Sequence, residues 1–114
     1  MKWHYLNSEE DLSRIKEESH ESPQLIFKHS TACGISAAAR RNMEEVFNGY
    51  DSECAIWEVY VIENRDISQS IAYHFDLPHK SPQVLVVYKG QLQWHASHVR
   101  ITDKRLTKAL SALN

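Results

Sequence analysis

Between Gln24 and Phe75 the hydrophobic period of this chain switches twice from strand to helix, and that alternation restricts the fold more than any other feature. QLIFKH, residues 24 to 29, is a compact apolar run just past Pro23 and too short for a helix, so it predicts a buried strand. From Gly34 to Asn48 the apolar residues Ile35, Ala39, Met43, Val46 and Phe47 recur at helical spacing and line one face, with Arg40, Arg41, Glu44 and Glu45 opposite. Gly49 supplies the stop signal. AIWEVYVI, 55 to 62, is β-branched and aromatic, hence a second strand. NRDISQSIAYHF then returns to helical spacing through Ile67, Ile71 and Phe75. Two strands joined through a helix form a right-handed crossover, which makes them parallel.

The flanking segments complete the order of elements. Ser8 opens an acid-rich first turn, SEED, with Leu12 and Ile15 behind it, which predicts a capped helix over about residues 8 to 19. After the Pro78 to Pro82 loop, QVLVVY and QLQWHAS flank Lys89-Gly90, a pair that suits a tight hairpin, although Asn or Asp is the commoner first residue there. Thr102 caps a closing helix with Leu106, Ala109, Leu110 and Leu113 on one side. The hairpin must add antiparallel strands to the parallel pair. The expected fold is α/β: an N-terminal helix, then β-α-β-α-β-β-α, with a four-stranded mixed sheet flanked by helices. That is the order of elements of a thioredoxin-like fold.

With 114 residues and no repeat, low-complexity tract or Pro/Gly/Ser-rich linker, residues 1 to 114 read as a single domain. Thirteen basic residues against fifteen acidic ones, without a Lys/Arg block, lack the footprint of a nucleic-acid binder. No apolar run approaches the length of a membrane span, and the amino terminus turns charged before a signal-peptide core can form. A soluble cytoplasmic protein is expected. Its two cysteines, Cys33 and Cys54, are too few for a disulfide scaffold and lack the repeated Cys/His pairs of a zinc site.

Cys33 lies in STACGIS, between the first strand and the helix after it. A thiol at a helix N-terminus meets unpaired backbone N–H groups and the positive end of the macrodipole, and both favour the nucleophilic thiolate. Ser36, one turn on, shares its face and is expected to reach back to the sulfur; it can donate a hydrogen bond but cannot form a disulfide. A mixed disulfide on Cys33 must therefore wait for a sulfur from outside, which is a monothiol cycle. Cys54 opens the second strand, whereas Cys33 lies beyond the far end of the first. About six residues at ~3.3 Å separate them along the sheet. That distance of ~20 Å far exceeds the ~4.4 to 6.8 Å of a disulfide. Cys54 is expected to be a buried small hydrophobe.

FKHSTACGIS, SPQVLVVYKG and WHASHVRIT, three separated segments in the right order, resemble the monothiol bacilliredoxins, thioredoxin-fold proteins of bacteria that use bacillithiol instead of glutathione. The resemblance implies a thiol–disulfide oxidoreductase that removes bacillithiol from protein mixed disulfides. Cys33 would be the nucleophile, bacillithiol a co-substrate with no bound cofactor, and bacillithiol or a partner reductase the recycling agent. The family's usual motif has proline after the cysteine, where this chain has Gly34. Cys-Gly-Ile-Ser is also similar to the Cys-Gly-Phe-Ser of monothiol glutaredoxins, which can share an iron–sulfur cluster between protomers using glutathione. That similarity keeps a cluster carrier as an alternative, although the Gly-Gly pair with which glutaredoxins hold glutathione is missing after the hairpin. A catalytically idle thioredoxin-fold binding or stress-associated module is the third reading.

The same resemblance implies a cis peptide at Ser81-Pro82, turning the Ser81 backbone toward a group bound at Cys33. It also brings His79 and Lys80 near the thiol, where they would bind the carboxylates of bacillithiol's malate group or support the thiolate electrostatically. Thr31 is expected to cap the helix and His29 to lie close to the sulfur. His95 and His98, three apart on a strand, point to opposite faces, so no metal site is expected from them. Trp94 belongs to the resemblance and has no role legible from its neighbours.

Overall fold

The computed structural model describes residues 2 to 49 and 54 to 113. In chain order the elements are β1 (Lys2–Tyr5), α1 (Glu9–Glu18), β2 (Gln24–His29), α2 (Gly34–Gly49), β3 (Ala55–Tyr60), α3 (Arg65–His74), β4 (Gln83–Tyr88), β5 (Gln91–Ser97), a 3₁₀ turn (His98–Arg100) and α4 (Asp103–Ser111). The strands form one five-stranded sheet in the order β1-β3-β2-β4-β5. β2 runs parallel to β3, with Gln24 beside Ala55 and His29 beside Tyr60, whereas β4 is antiparallel to both β2 and β5.

The expected four-stranded sheet thus gains a fifth strand. KWHY pairs in parallel with β3, Lys2 beside Ala55 through Tyr5 beside Glu58. Trp3 and Tyr5 favour a strand, but four residues are too few to announce one on their own. Their strand is made by tertiary contacts on both faces. Trp3 meets Phe47 edge-on at 5.5 Å on one side, and His4 stacks on Trp57 at 4.4 Å on the other.

β2 is buried along its whole length, because helices cover both faces of the sheet. On one face Leu25, Phe27, Val84 and Val86 pack with Ala39, Met43 and Val46 of α2 and Leu106 and Leu110 of α4. On the other, Ile26, Trp57, Leu85 and Val87 pack with Leu12 and Ile15 of α1 and Ile67 and Ile71 of α3. Trp94 packs against the first cluster, which gives it a structural role. Ile35, read as part of the apolar face of α2, instead stands 46% exposed in the first turn. No helix among the described residues is long and apolar enough to cross a membrane.

The local signals act as their chemistry requires. The Ser8 hydroxyl accepts from Asp11 N at 3.1 Å and Thr102 Oγ1 from Arg105 N at 3.2 Å, so both caps form. Lys89 and Gly90 take φ of 55° and 78°, the left-handed pair that a two-residue hairpin needs. Lysine is accommodated because Ser19 grips the turn, its carbonyl accepting from Lys89 N at 2.8 Å and its hydroxyl from Gly90 N at 3.0 Å. A Cβ at Gly90 would sit 3.0 Å from the His20 ring, a second reason for glycine there.

Candidate active site

β2 and α2 between them position the thiol. β2 ends at His29, and a tight turn, with Cys33 N donating to Ser30 O at 3.2 Å, leads into the helix. The Cys33 carbonyl takes the helical bond from Ala37 N at 3.1 Å. Cys33 therefore occupies the N-cap position of α2, next to the first-turn amides, and is half-buried. Thr31 lies too far ahead to be the cap that was expected. It is exposed, and its side chain makes no hydrogen bond among the described residues.

Ser36 is fully buried and holds this loop to the strand. Its hydroxyl oxygen accepts from Ser30 N at 3.0 Å and lies 2.7 Å from His29 Nδ1. The expected contact with the Cys33 sulfur is not formed, because both of the hydroxyl's partners belong to the β2 end of the turn. His29 is buried against Phe27 and Tyr60, with ring centroids at 5.4 and 5.8 Å. Burial pushes its pKa below the ordinary value, so the imidazole is neutral at pH 7. With Ser30 N–H already donating to Ser36 Oγ, the proton shared with Nδ1 is either the hydroxyl's or the ring's. A protonated Nδ1 donates to Oγ and leaves the hydroxyl hydrogen to point elsewhere.

Beneath α2 lies a charged pair that sequence reasoning missed. Glu58 is fully buried beside Phe27, and its carboxylate accepts from Arg40 Nε at 2.9 Å and from Trp3 Nε1 at 3.2 Å. Arg40 also pairs with Glu44. A glutamate amid AIWEVYVI was a visible signal, since a charge at a core position of a buried strand demands a partner.

A second polar pair, this one of two basic residues, lies on the opposite face of the sheet. Lys28 is fully buried within β2 and its ammonium bonds His79 Nδ1 at 3.1 Å. Burial lowers the Lys28 pKa to about 8 and, together with the Lys28 charge, holds His79 below its ordinary value. His79 is thus engaged by Lys28, whereas Lys80 is exposed and makes no bond among the described residues. The Ser81-Pro82 peptide is cis, and Pro82 O accepts from His98 N at 3.0 Å. A Cβ at Gly34 would meet nothing within 4 Å, so packing does not require glycine there.

Cys54 is 1% exposed and the two cysteines form no disulfide, as expected. It immediately precedes β3, at the end of the sheet remote from Cys33.

A five-stranded mixed sheet with helices on both faces and a cysteine capping the helix after β2 is the arrangement of a thioredoxin-fold thiol oxidoreductase. The comparisons agree. A solved structure described as a candidate oxidoreductase with a thioredoxin fold superposes with a TM-score of 0.83 at 26% identity, covering 94% of this chain and 92% of that one. Thioredoxin from Fasciola hepatica matches at TM-score 0.76 and 15% identity over 100% of both chains. Thioredoxin from Malassezia sympodialis matches at TM-score 0.74 and 15% identity, over 97% of this chain and 90% of its own. The family model for monothiol bacilliredoxin BrxC matches residues 4–106. The chain belongs to that family.

Proposed function

We propose that this protein is a thiol–disulfide oxidoreductase that strips bacillithiol from mixed disulfides on proteins, with Cys33 as the only exchanging thiol. Cys33 thiolate attacks the bacillithiol sulfur of the mixed disulfide. The protein's sulfur leaves as a thiolate and takes up a proton, while a disulfide forms between Cys33 and bacillithiol. A second thiol, free bacillithiol or that of a partner reductase, attacks the bacillithiol sulfur as its thiolate, forms a new disulfide with it, and expels Cys33 as a thiolate. The protein sulfur is reduced in the first exchange as Cys33 is oxidised, and the external thiol then reduces Cys33 and is itself oxidised to a disulfide. Bacillithiol is a co-substrate and the reaction is cytoplasmic.

The observation that carries this reading is a half-exposed Cys33 at the start of α2 while Ser36, bonded to His29 instead, fills the position where a dithiol enzyme needs its second sulfur. Around the thiol, Thr31 and Gly34 leave the approach open, and the Ser81-Pro82 backbone offers a strand-like grip. His79 supplies a polar contact, and exposed Lys80 adds positive charge. Incubation with a bacillithiolated protein tests the mechanism. Cys33→Ser abolishes release of bacillithiol and Cys54→Ser retains it; equal loss in both variants contradicts a single-thiol mechanism.

A further inference from the structure

A cavity of about 240 Å³ opens where the chain leaves β3 for α3, walled by Val61, Ile62, Arg65, Ser68, Gln69 and His79. It belongs to the same end of the sheet as Cys33. Val61 N donates to His29 O at 3.0 Å, tying the wall to the end of the strand that leads to the thiol. Gln83 Nε2 donates to Pro78 O at 3.2 Å, holding the loop that carries His79 against β4.

Four of the six wall residues bring N–H or O–H donors, and none is a carboxylate. Glu63 and Asp66, the neighbouring acids, line an adjacent hollow with Asn7, whose wall Arg65 and Ile62 share. Ser68 is 3% exposed, yet its hydroxyl has no hydrogen-bond partner, an unfavourable state for a buried polar group. Asn64 caps α3 without a side-chain hydrogen bond, so the first amides of this ten-residue helix are left open beside Arg65. Lys28 brings a fully buried ammonium whose one described partner is His79 Nδ1, and no carboxylate pairs with it among the described residues. Because Nδ1 accepts from the lysine, the neutral His79 ring carries its proton on Nε2, which is one more donor. The hollow thus joins an idle buried hydroxyl at Ser68 to exposed donors on Arg65, Gln69 and His79, with the Lys28 charge behind His79.

We propose that this cavity binds a carboxylate of the low-molecular-weight thiol that exchanges with Cys33, an inference that rests on the thiol-exchange reading above. Arg65 and the His79 ring hold the anion at the rim, Ser68 donates its idle hydroxyl from the floor, and Lys28 supplies charge through His79. The cavity would select a carboxylate-bearing disulfide over a cationic one of similar reactivity.

L-malate is the probe for the site itself, titrated into full-length Cys33→Ser protein and followed by amide and arginine side-chain NMR. Shifts are expected at Arg65, Ser68 and Gln69, and Arg65→Gln is expected to weaken the binding about tenfold. Shifts confined elsewhere, or unchanged by Arg65→Gln, overturn the site. In otherwise wild-type protein, Arg65→Gln is expected to slow exchange with oxidised bacillithiol about tenfold without slowing exchange with the cationic disulfide cystamine. Equal loss on both disulfides, or none on either, overturns the selectivity. Normal exchange with oxidised bacillithiol in a protein that malate leaves untouched overturns the cavity and spares the thiol reading. Malate binding at Arg65 and Ser68 in a protein that exchanges with neither disulfide supports the carboxylate site and overturns the thiol reading.

Discussion

The Ser36 hydroxyl lies 2.7 Å from His29 Nδ1 and also accepts from Ser30 N, so the serine that replaces a second cysteine is built into the wall of the site. Ser36→Ala leaves a buried imidazole nitrogen and the Ser30 N–H without partners. Loss of a buried hydrogen-bond partner costs about 1–3 kcal/mol, which urea unfolding will register. Bacillithiol release is expected to slow several-fold but persist, because the attacking sulfur is intact.

His29 also gives the fold a pH dependence. Its pKa in the folded state is depressed by burial below the ordinary 6.5, so the unfolded chain binds more protons just under that pH. The stability it contributes is complete above pH 6.5 and is lost as the pH falls toward the lower, folded value. A urea midpoint that declines from pH 7 to pH 5, and declines less in His29→Gln, is the expected result.

Lys28 behaves with the same sign in a different window. Its folded pKa of about 8 lies below the ordinary 10.5, so stability rises with pH between those two values as the buried ammonium loses its proton. Lys28→Met removes that rise and is expected to stabilise the protein at pH 7, on the order of 1 kcal/mol. Malate binding weakens in the same variant. A side chain that costs stability and aids binding is the signature of a functional residue.

Gly34 is the point where this chain departs from its family's usual motif. It is the first residue of α2, nothing lies within 4 Å of a Cβ there, and proline suits the first position of a helix. Gly34→Pro is expected to raise stability by about 0.4–1 kcal/mol through a less flexible unfolded chain. Exchange with bacillithiol disulfide should be retained.

Glu58 carries the structural load beneath the site. Breaking a buried ion pair costs about 3–5 kcal/mol. The Arg40 side chain keeps 30% of its surface in water, so Glu58→Ala is expected near the lower end of that range. Thermal unfolding measures it.

Much of this architecture was legible in the chain. QLIFKH and AIWEVYVI announced their strands because burial on both faces leaves a nearly continuous apolar run, and Ser8 and Thr102 announced their helices through short polar side chains placed to cap. β1 was illegible because KWHY becomes a strand only by pairing with β3 and packing Trp3 and His4 against partners far away in sequence. Cys33 could be found from its place between a strand and a helix. The environment of the site could not. Which way Ser36 turns, that Lys28 rather than Lys80 meets His79, and that Arg40 lies over Glu58 are decided by contacts across 7, 51 and 18 residues of chain.

Mass spectrometry after incubation with oxidised bacillithiol decides whether Cys33 alone carries bacillithiol. A single bacillithiol adduct mapped to the peptide containing Cys33, released by added thiol, is the predicted result. An adduct on Cys54, an internal disulfide, or an unmodified protein contradicts it.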